Sequence, residues 1–322
     1  MFMEIGGYFE LEHFTARPYY SGLYELNLGR TALTYLLGAL SCRRLFVPYF
    51  LCESVTEACR KAGFSLEYYR IDENLAPLLP RTPQKDEYLY LVNYYGQLTD
   101  EQILAFQSAC GNIIVDHTHA FFQKPLKGVP TLYSCRKFFG VSDGAYLSCD
   151  LDLPPIPLTD QSHGRMGHLL GRFEERASLH YREMLDNAHA FEKEPIKKMS
   201  PLTRNILGAI DYASVRRARN QNYRYLCERF DQRNVMNQHT PNGPFVFPLH
   251  VADGPAVRKE LASMDIYIPT YWSNVVEQMP RDSVEYDYTA NILPLPCDQR
   301  YGQWEMEHLA DAVLTVIQQM EA

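Results

Sequence analysis

No apolar run in this sequence approaches the roughly 20 residues that a membrane-spanning helix needs. The first dozen residues, MFMEIGGYFELE, carry acid where a secretory signal carries base, so no export leader is expected. The eight cysteines form no Cys-x-x-Cys pair and no Cys/His spacing typical of zinc. Neither a disulfide scaffold nor a zinc module is signalled, and scattered thiols fit a reducing cytosol, so a cytoplasmic location is expected. Basic charge is also short. Lys and Arg total 31 against 39 Asp and Glu, and the net charge of -8 argues against nucleic acid or an anionic membrane as the main partner. What is present is ordinary globular material. At 46% hydrophobic and 22% charged over 322 residues, the chain can build one large α/β domain and a smaller one.

The sequence is organised around TLYSCRKFFGVSDGAYLSC, residues Thr131 to Cys149. Lys137 lies between an apolar run and an aromatic-glycine run, and burying an ammonium is costly unless the group is neutralised or used. One use is a Schiff base to a carbonyl cofactor, which needs an amine available as a nucleophile. A surface lysine snorkelling beside a strand is the alternative. Lys124 and Lys127 compete for the role from a polar loop flanked by Gly and Pro. Upstream, Ile113-Ile114-Val115 reads as a short buried strand that ends at Asp116. Ligands of open α/β sheets bind at strand carboxyl ends. An acid in that place is what pyridoxal 5'-phosphate (PLP) needs to keep its ring nitrogen protonated and act as an electron sink. Asp116-His117-Thr118-His119 also contains the metal-ligand pair His-x-His, but no third or fourth ligand follows at sensible spacing.

Earlier in the chain, Gly29-Arg30-Thr31 opens a helix with Leu33, Leu36, Leu37 and Leu40 at helical spacing. A glycine turn at a helix start is a ready anion site. Leu45 to Val47 reads as a strand broken by Pro48, Glu53 to Ala62 as a helix and Phe64 to Tyr69 as a strand. Tyr88 to Val92 reads as a strand delivering Asn93-Tyr94-Tyr95-Gly96, and Thr99-Asp100 caps the helix after it. After a proline-rich exit near residue 154, long helical patterns cover residues 161–191 and 202–230. A small α/β unit follows, with strands expected at Phe245 to Leu249 and Ile266 to Ile268. A helix over Pro255 to Met264 and a closing one over Trp304 to Gln319 complete it.

Together these passages resemble the DegT/DnrJ/EryC1/StrS group of sugar aminotransferases, within the fold-type I PLP-dependent transferases. The resemblance spans nearly the whole chain and is firmest from Asp116 to Leu147, where acid and lysine stand at the spacing of the aspartate aminotransferase fold. It implies an α/β fold: a mostly parallel central sheet sandwiched by helices, plus a small C-terminal α/β domain. The expected domains are 1–232, with an N-terminal wrap and connecting helices over 161–232, and 233–322. It implies Lys137 as the Schiff-base lysine and Asp116 as the ring-nitrogen acid. Ser134, with Gly29, Arg30 and Thr31, is expected at the cofactor phosphate, Arg30 standing where the family has threonine. His119 and Asn93 are expected near the phenolic oxygen. Arg136 is a second phosphate candidate, or else a counterion of Asp143. Cys52, with Phe50 nearby, occupies the slot of the family's ring-stacking residue. Ile196-Lys197-Lys198 stands in place of the Asn-Tyr-Arg whose Asn reaches a partner's phosphate, so that residue is not carried over. Asp265 to Trp272 matches the family's joint motif, and Arg300 is either a carboxylate ligand or a surface residue. The implied activity is transfer of an amino group from a glutamate-like donor to a nucleotide-linked keto-sugar, in a homodimer with its site between subunits. Another PLP reaction, such as a lyase or an amino-acid-specific transfer, and a non-catalytic binding or scaffold role stay open. Family dehydratases carry histidine in place of the lysine, so Lys137 opposes that branch.

Overall fold

The computed structural model describes residues 5–192, 194–230, 234, 236 and 239–321. The expected boundary between residues 232 and 233 lies outside the described residues. The large unit contains β1 (Tyr24–Leu26), α1 (Gly29–Ala39), β2 (Arg44–Pro48), α2 (Glu53–Lys61), β3 (Ser65–Ile71) and β4 (Pro77–Leu78). It continues with β5 (Glu87–Val92), α3 (Asp100–Cys110), β6 (Ile113–Asp116), β7 (Thr131–Ser134) and β8 (Ala145–Ser148). These strands form one sheet in the order β1-β8-β7-β6-β5-β2-β3-β4. From β3 through β2, β5 and β6 to β7 every neighbouring pair is parallel; β8, β1 and β4 join antiparallel. The middle strands read as continuous apolar runs because both faces are covered: Leu45 to Val47, Leu89 to Leu91 and Ile113 to Val115 are all buried. After β2 the chain moves outward to β3, then returns across β2 to β5 and β6. The strand order therefore reverses between β2 and β5, and their carboxyl ends open a crevice there.

Beyond the sheet lie α4 (Gly167–Glu174), α5 (Tyr181–Ala190), α6 (Pro201–Leu207) and α7 (Tyr212–Phe230). The chain then forms β9 (Val246–His250), α8 (Gly254–Ser263), α9 (Asn274–Gln278), α10 (Val284–Asn291), β10 (Ile292–Pro296) and α11 (Gln303–Glu321). A second core joins Tyr223, Leu226 and Phe230 of α7 to Phe247 and Leu249 of β9, Leu293 and Leu295 of β10, and Leu309 and Val313 of α11. Among the described residues no helix is long and apolar enough to cross a membrane.

Three expectations are corrected. Ile266 to Ile268 is not a strand: β9 pairs with Ile292–Pro296 instead. The 265–271 segment starts at Asp265 in the left-handed region (φ 61) and carries Pro269, so it runs as a loop. The 161–191 pattern breaks into α4 and α5 at Glu175, which is extended (φ -136, ψ -176). The 202–230 pattern breaks after Gly208, and Asp211 accepts Ser214 N at 3.0 Å to restart the chain as α7. Asp143 acts on Arg136 through its charge, with no direct ion pair among the described residues. Its buried carboxylate accepts Ser200 N and Ser200 Oγ, both at 2.8 Å, and the Thr203 hydroxyl, which ties the start of α6 to the loop before β8.

At the start of β5, buried Glu87 accepts Arg81 Nη1 at 2.6 Å and Arg43 Nη2 at 2.7 Å. The Arg81 bonds, with the Gln84 N–H, hold this carboxyl down to about 2 from 4.5. Its contribution to stability is full above its unfolded value and is lost as pH falls from 4.5 towards 2. Glu87→Gln should lower the urea midpoint at pH 7. It should also shrink the difference between midpoints at pH 7 and pH 3, and an unchanged difference would show that other carboxylates set the acid limb.

Candidate active site

Parallel strands put their carboxyl ends on one edge, so the residues following β2, β6 and β7 meet there with the start of α1. β7 ends at Ser134 and one 3-10 turn, Cys135–Lys137, aims Lys137 into the crevice. Buried Cys135 and Phe138 pin that turn, and Cys135 N donates to Gly144 O at 3.0 Å. Gly144 is required there. It lies at φ +115, and a Cβ would meet Thr203 Cγ2 at 3.0 Å and Cys135 Cβ at 3.2 Å.

Asp116, at the end of β6, is held on both oxygens. Oδ2 accepts the Tyr90 hydroxyl at 2.7 Å and Oδ1 accepts Thr118 N at 2.8 Å. Burial and the Asp116 charge push the Tyr90 phenol well above 10.0, so it acts as a donor. Lys137 Nζ lies 3.2 Å from His119 Nε2 and over the rings of Phe245 (5.2 Å) and Tyr271 (5.3 Å). The lysine side chain is exposed to the crevice. Loss of hydration lowers the amine's pKa from 10.5, Arg136 adds to that, and Cys52 and Asp116 oppose it.

A cavity of about 200 Å³ gathers most of the expected residues: Gly29, Arg30, Cys52, Asp116, His119, Ser134 and Lys137. Helix α1 meets it uncapped, with no side-chain bond from Leu28 and no acid in its first turn. Its free N–H groups are thus available to an anion. Two expected residues are not brought to the lining. Thr31 turns back into the fold, its hydroxyl donating to Asn27 Oδ1 at 2.8 Å. Asn93 is spent on its own turn: its Nδ2 donates to Gln123 Oε1 at 2.7 Å and its Oδ1 accepts Leu98 N at 2.8 Å.

His117 and His119 point apart, which takes them out of a shared metal site. His117 contacts Asn93 Nδ2 at 3.2 Å and is pushed down to about 3 by burial. Lys124 lies over the Tyr19 ring at 3.7 Å, away from the cavity. Arg136 packs on Phe191 (5.2 Å), and Arg300 is held by Asp298 through two bonds of 2.7 and 2.8 Å.

Among the lining residues that the sequence reading did not place at the site are Tyr90 and Trp272, the latter named only as the end of the joint motif. Trp272 sits in the left-handed region (φ 53), its indole against Phe50 (4.4 Å) and His119 (5.5 Å). The available signal was the aromatic pair following Pro269. Tyr90 gave none, because an inward tyrosine in a strand looks like core. A second cavity of about 530 Å³ shares Lys137 and runs on past Arg172, Arg176, Tyr271, Asp298 and Arg300.

No family model and no curated protein sequence matches the chain. Solved structures do. Spr1654 from Streptococcus pneumoniae, assigned as a sugar aminotransferase and solved in its PLP form, is 13% identical with a TM-score of 0.62, over 92% of this chain and 87% of that one. A DegT DnrJ EryC1 StrS aminotransferase from Brucella abortus is 13% identical with a TM-score of 0.60, covering 92% and 86%. PseC from Helicobacter pylori, an aminotransferase in pseudoaminic acid biosynthesis, is 14% identical with a TM-score of 0.59, again covering 92% and 86%. The fold is that of the type I PLP-dependent transferases. Identities this low establish the fold and leave the activity to the residues.

Those residues fit PLP on this structure's own geometry. A carboxylate with both oxygens held, a lysine amine and an uncapped helix start bordered by Arg30 and Ser134 share one cavity, with an indole in its wall.

Proposed function

We propose that the protein is a PLP-dependent aminotransferase that moves an amino group from a glutamate-like amino acid to a nucleotide-linked keto-sugar, working as a cytoplasmic homodimer. The observation that carries the reading is the cavity shared by Lys137, Asp116 and the open start of α1. Bound PLP would supply an electron sink for charge developing at the substrate carbon. Asp116 would keep the proton on the ring nitrogen, and Tyr90 and Thr118 N hold Asp116 in place. The start of α1, Arg30 and Ser134 would hold the phosphate. With the cofactor bound, Lys137 Nζ would carry the proton between the donor carbon and the far side of the transferred nitrogen, a task that needs a free amine near neutral pH and so benefits from the lowered pKa.

The larger cavity has room for an elongated acceptor, with Arg172 on its lining beside the ion-paired Arg176 and Arg300. The dimer is supported by exposed apolar side chains on two segments, Tyr8 and Phe9 on one and Leu170, Phe173 and Leu179 on the other. The compartment is supported by the scatter of eight cysteines with no Cys-x-x-Cys pair among them.

The test is the visible spectrum of the purified protein before and after borohydride, with peptide mapping, then turnover with glutamate. A yellow band reduced to a stable adduct on Lys137, and bleached by glutamate, is expected. A colourless protein that PLP cannot restore overturns the reading.

A further inference from the structure

The turn Asn93-Tyr94-Tyr95-Gly96 is built at a cost that the proposed chemistry does not explain. Tyr95 lies in the left-handed region (φ 54), where a bulky residue is strained, and Gly96 follows at φ 75. The side chains of Tyr94 and Tyr95 are buried behind the crevice wall, Tyr95 against His119 (5.7 Å) and both against Trp272, and Asn93 bonds within the turn. What the strained backbone does is aim Tyr95 N–H at His119 Nδ1, 3.4 Å away. A backbone N–H can only donate, so Nδ1 carries a lone pair and no proton. A ring that accepts there is neutral and carries its proton on Nε2. The ring is held in this orientation by Phe245, stacked at 4.4 Å and 25°, with Trp272 at 5.5 Å. Nε2 is the atom 3.2 Å from Lys137 Nζ. An ammonium has three donors and no lone pair, so it would set donor against donor here, whereas a free amine accepts.

We propose that His119 is a positioning residue whose proton, fixed on Nε2 by the backbone of Tyr95, holds the Lys137 amine as the free base. This role towards the lysine is separate from the contact with a cofactor oxygen that the resemblance implies. Its benefit rests on the proposed function, since a nucleophilic amine is needed before the cofactor is taken up. Burial acts in the same direction on the histidine, pushing its pKa well below 6.5, with Lys137 adding to it. Other groups facing the amine are Cys52 at the start of α2, Asp116 at the end of β6, Arg136 on the lysine's own turn and Tyr271. Along the larger cavity stand Arg172, Tyr267, Tyr301, Glu305 and His308, with the pairs Arg176–Asp265 and Arg300–Asp298. All of these stay in place in the variants below, so differences among the variants report on His119.

Two measurements on cofactor-free protein test this without turnover. Nitrogen NMR of histidine-labelled wild type, assigned with His119→Gln, should show His119 neutral with Nε2 protonated across pH 6 to 9. A proton on Nδ1, or a titration in that range, overturns the proposal. Acetic anhydride labelling, read at the Lys137 peptide, gives the pH profile of the amine. His119→Phe keeps a ring against Phe245 without the donor, and should slow labelling at pH 8 about fivefold, the worth of one net hydrogen bond. His119→Gln offers an amide N–H and should return to within twofold of wild type. Equal labelling in wild type and His119→Phe, or slowing in both variants alike, overturns it. Failure of PLP to bind would sink the functional reading and leave both measurements interpretable.

Discussion

Lys137→Ala is expected to leave the protein folded, to remove the borohydride-stable adduct, and to lower the rate of the glutamate half-reaction on the order of 10³-fold or more. The fold should survive because the side chain opens to the crevice, where its amine contacts His119. Nothing in the sheet or in the Cys135–Lys137 turn hangs on the amine. The rate should not survive, because the same atom serves as nucleophile towards the cofactor and as proton carrier at the reacting carbon. Lys137→Arg separates charge from chemistry. A guanidinium keeps the cation but stays protonated, so it can neither attack a carbonyl nor collect a proton. Both variants should therefore fail alike in single-turnover spectra with glutamate. Turnover within tenfold of wild type in either would move the catalytic role elsewhere. Lys124 is a poor substitute, since its amine is engaged over the Tyr19 and Tyr20 rings.

The Lys137 and Asp116 pairing was legible because both residues break local rules. An acid ends an otherwise apolar strand, and a lysine interrupts an apolar-aromatic run. Such breaks carry meaning because a buried charge is costly. Gly29 to Thr31 was half legible. The glycine turn into a helix located the open N–H groups, but spacing could not say that the Thr31 hydroxyl turns inward to Asn27. Asn93 shows the limit more sharply. A polar residue at a strand's carboxyl end points towards a ligand, yet it can equally close its own turn, and the bonds to Leu98 and Gln123 decide for the turn. Trp272 was half legible: the aromatic pair after Pro269 flagged it, but its place in the cavity wall depends on a left-handed backbone that a tryptophan does not advertise. The false strand at Ile266 to Ile268 fails for a related reason. Periodicity reports that a segment can be extended, whereas pairing depends on which other segment reaches the edge first, and Ile292–Pro296 takes that place beside β9.

Asp116→Asn tests the other half of the site and isolates charge from shape. Asparagine matches aspartate in size. The Tyr90 hydroxyl can rotate to accept from the new amide, and Thr118 N still finds the carbonyl oxygen that replaces Oδ1. The expected change is therefore electronic. Without a negative charge the ring nitrogen is not kept protonated, and the electron sink weakens at the moment charge develops. kcat should fall on the order of 10² to 10⁴-fold, the range of a well-placed proton partner. KM for glutamate should move little, because Asp116 would act on developing charge and not on ground-state binding. Tyr90→Phe provides the calibration. It removes one hydrogen bond to the carboxylate, worth about 1.5 to 3 kcal/mol with a charged partner, but leaves the charge itself. A carboxylate relieved of that donor holds the ring proton more strongly, so this variant should retain activity within about tenfold of wild type, consistent with a supporting role. If Asp116→Asn and Tyr90→Phe lose activity equally, the carboxylate acts by holding structure in place. If only the first does, with KM unchanged and the ring-nitrogen signal of labelled PLP shifted to its unprotonated position, the charge of Asp116 is what the reaction uses.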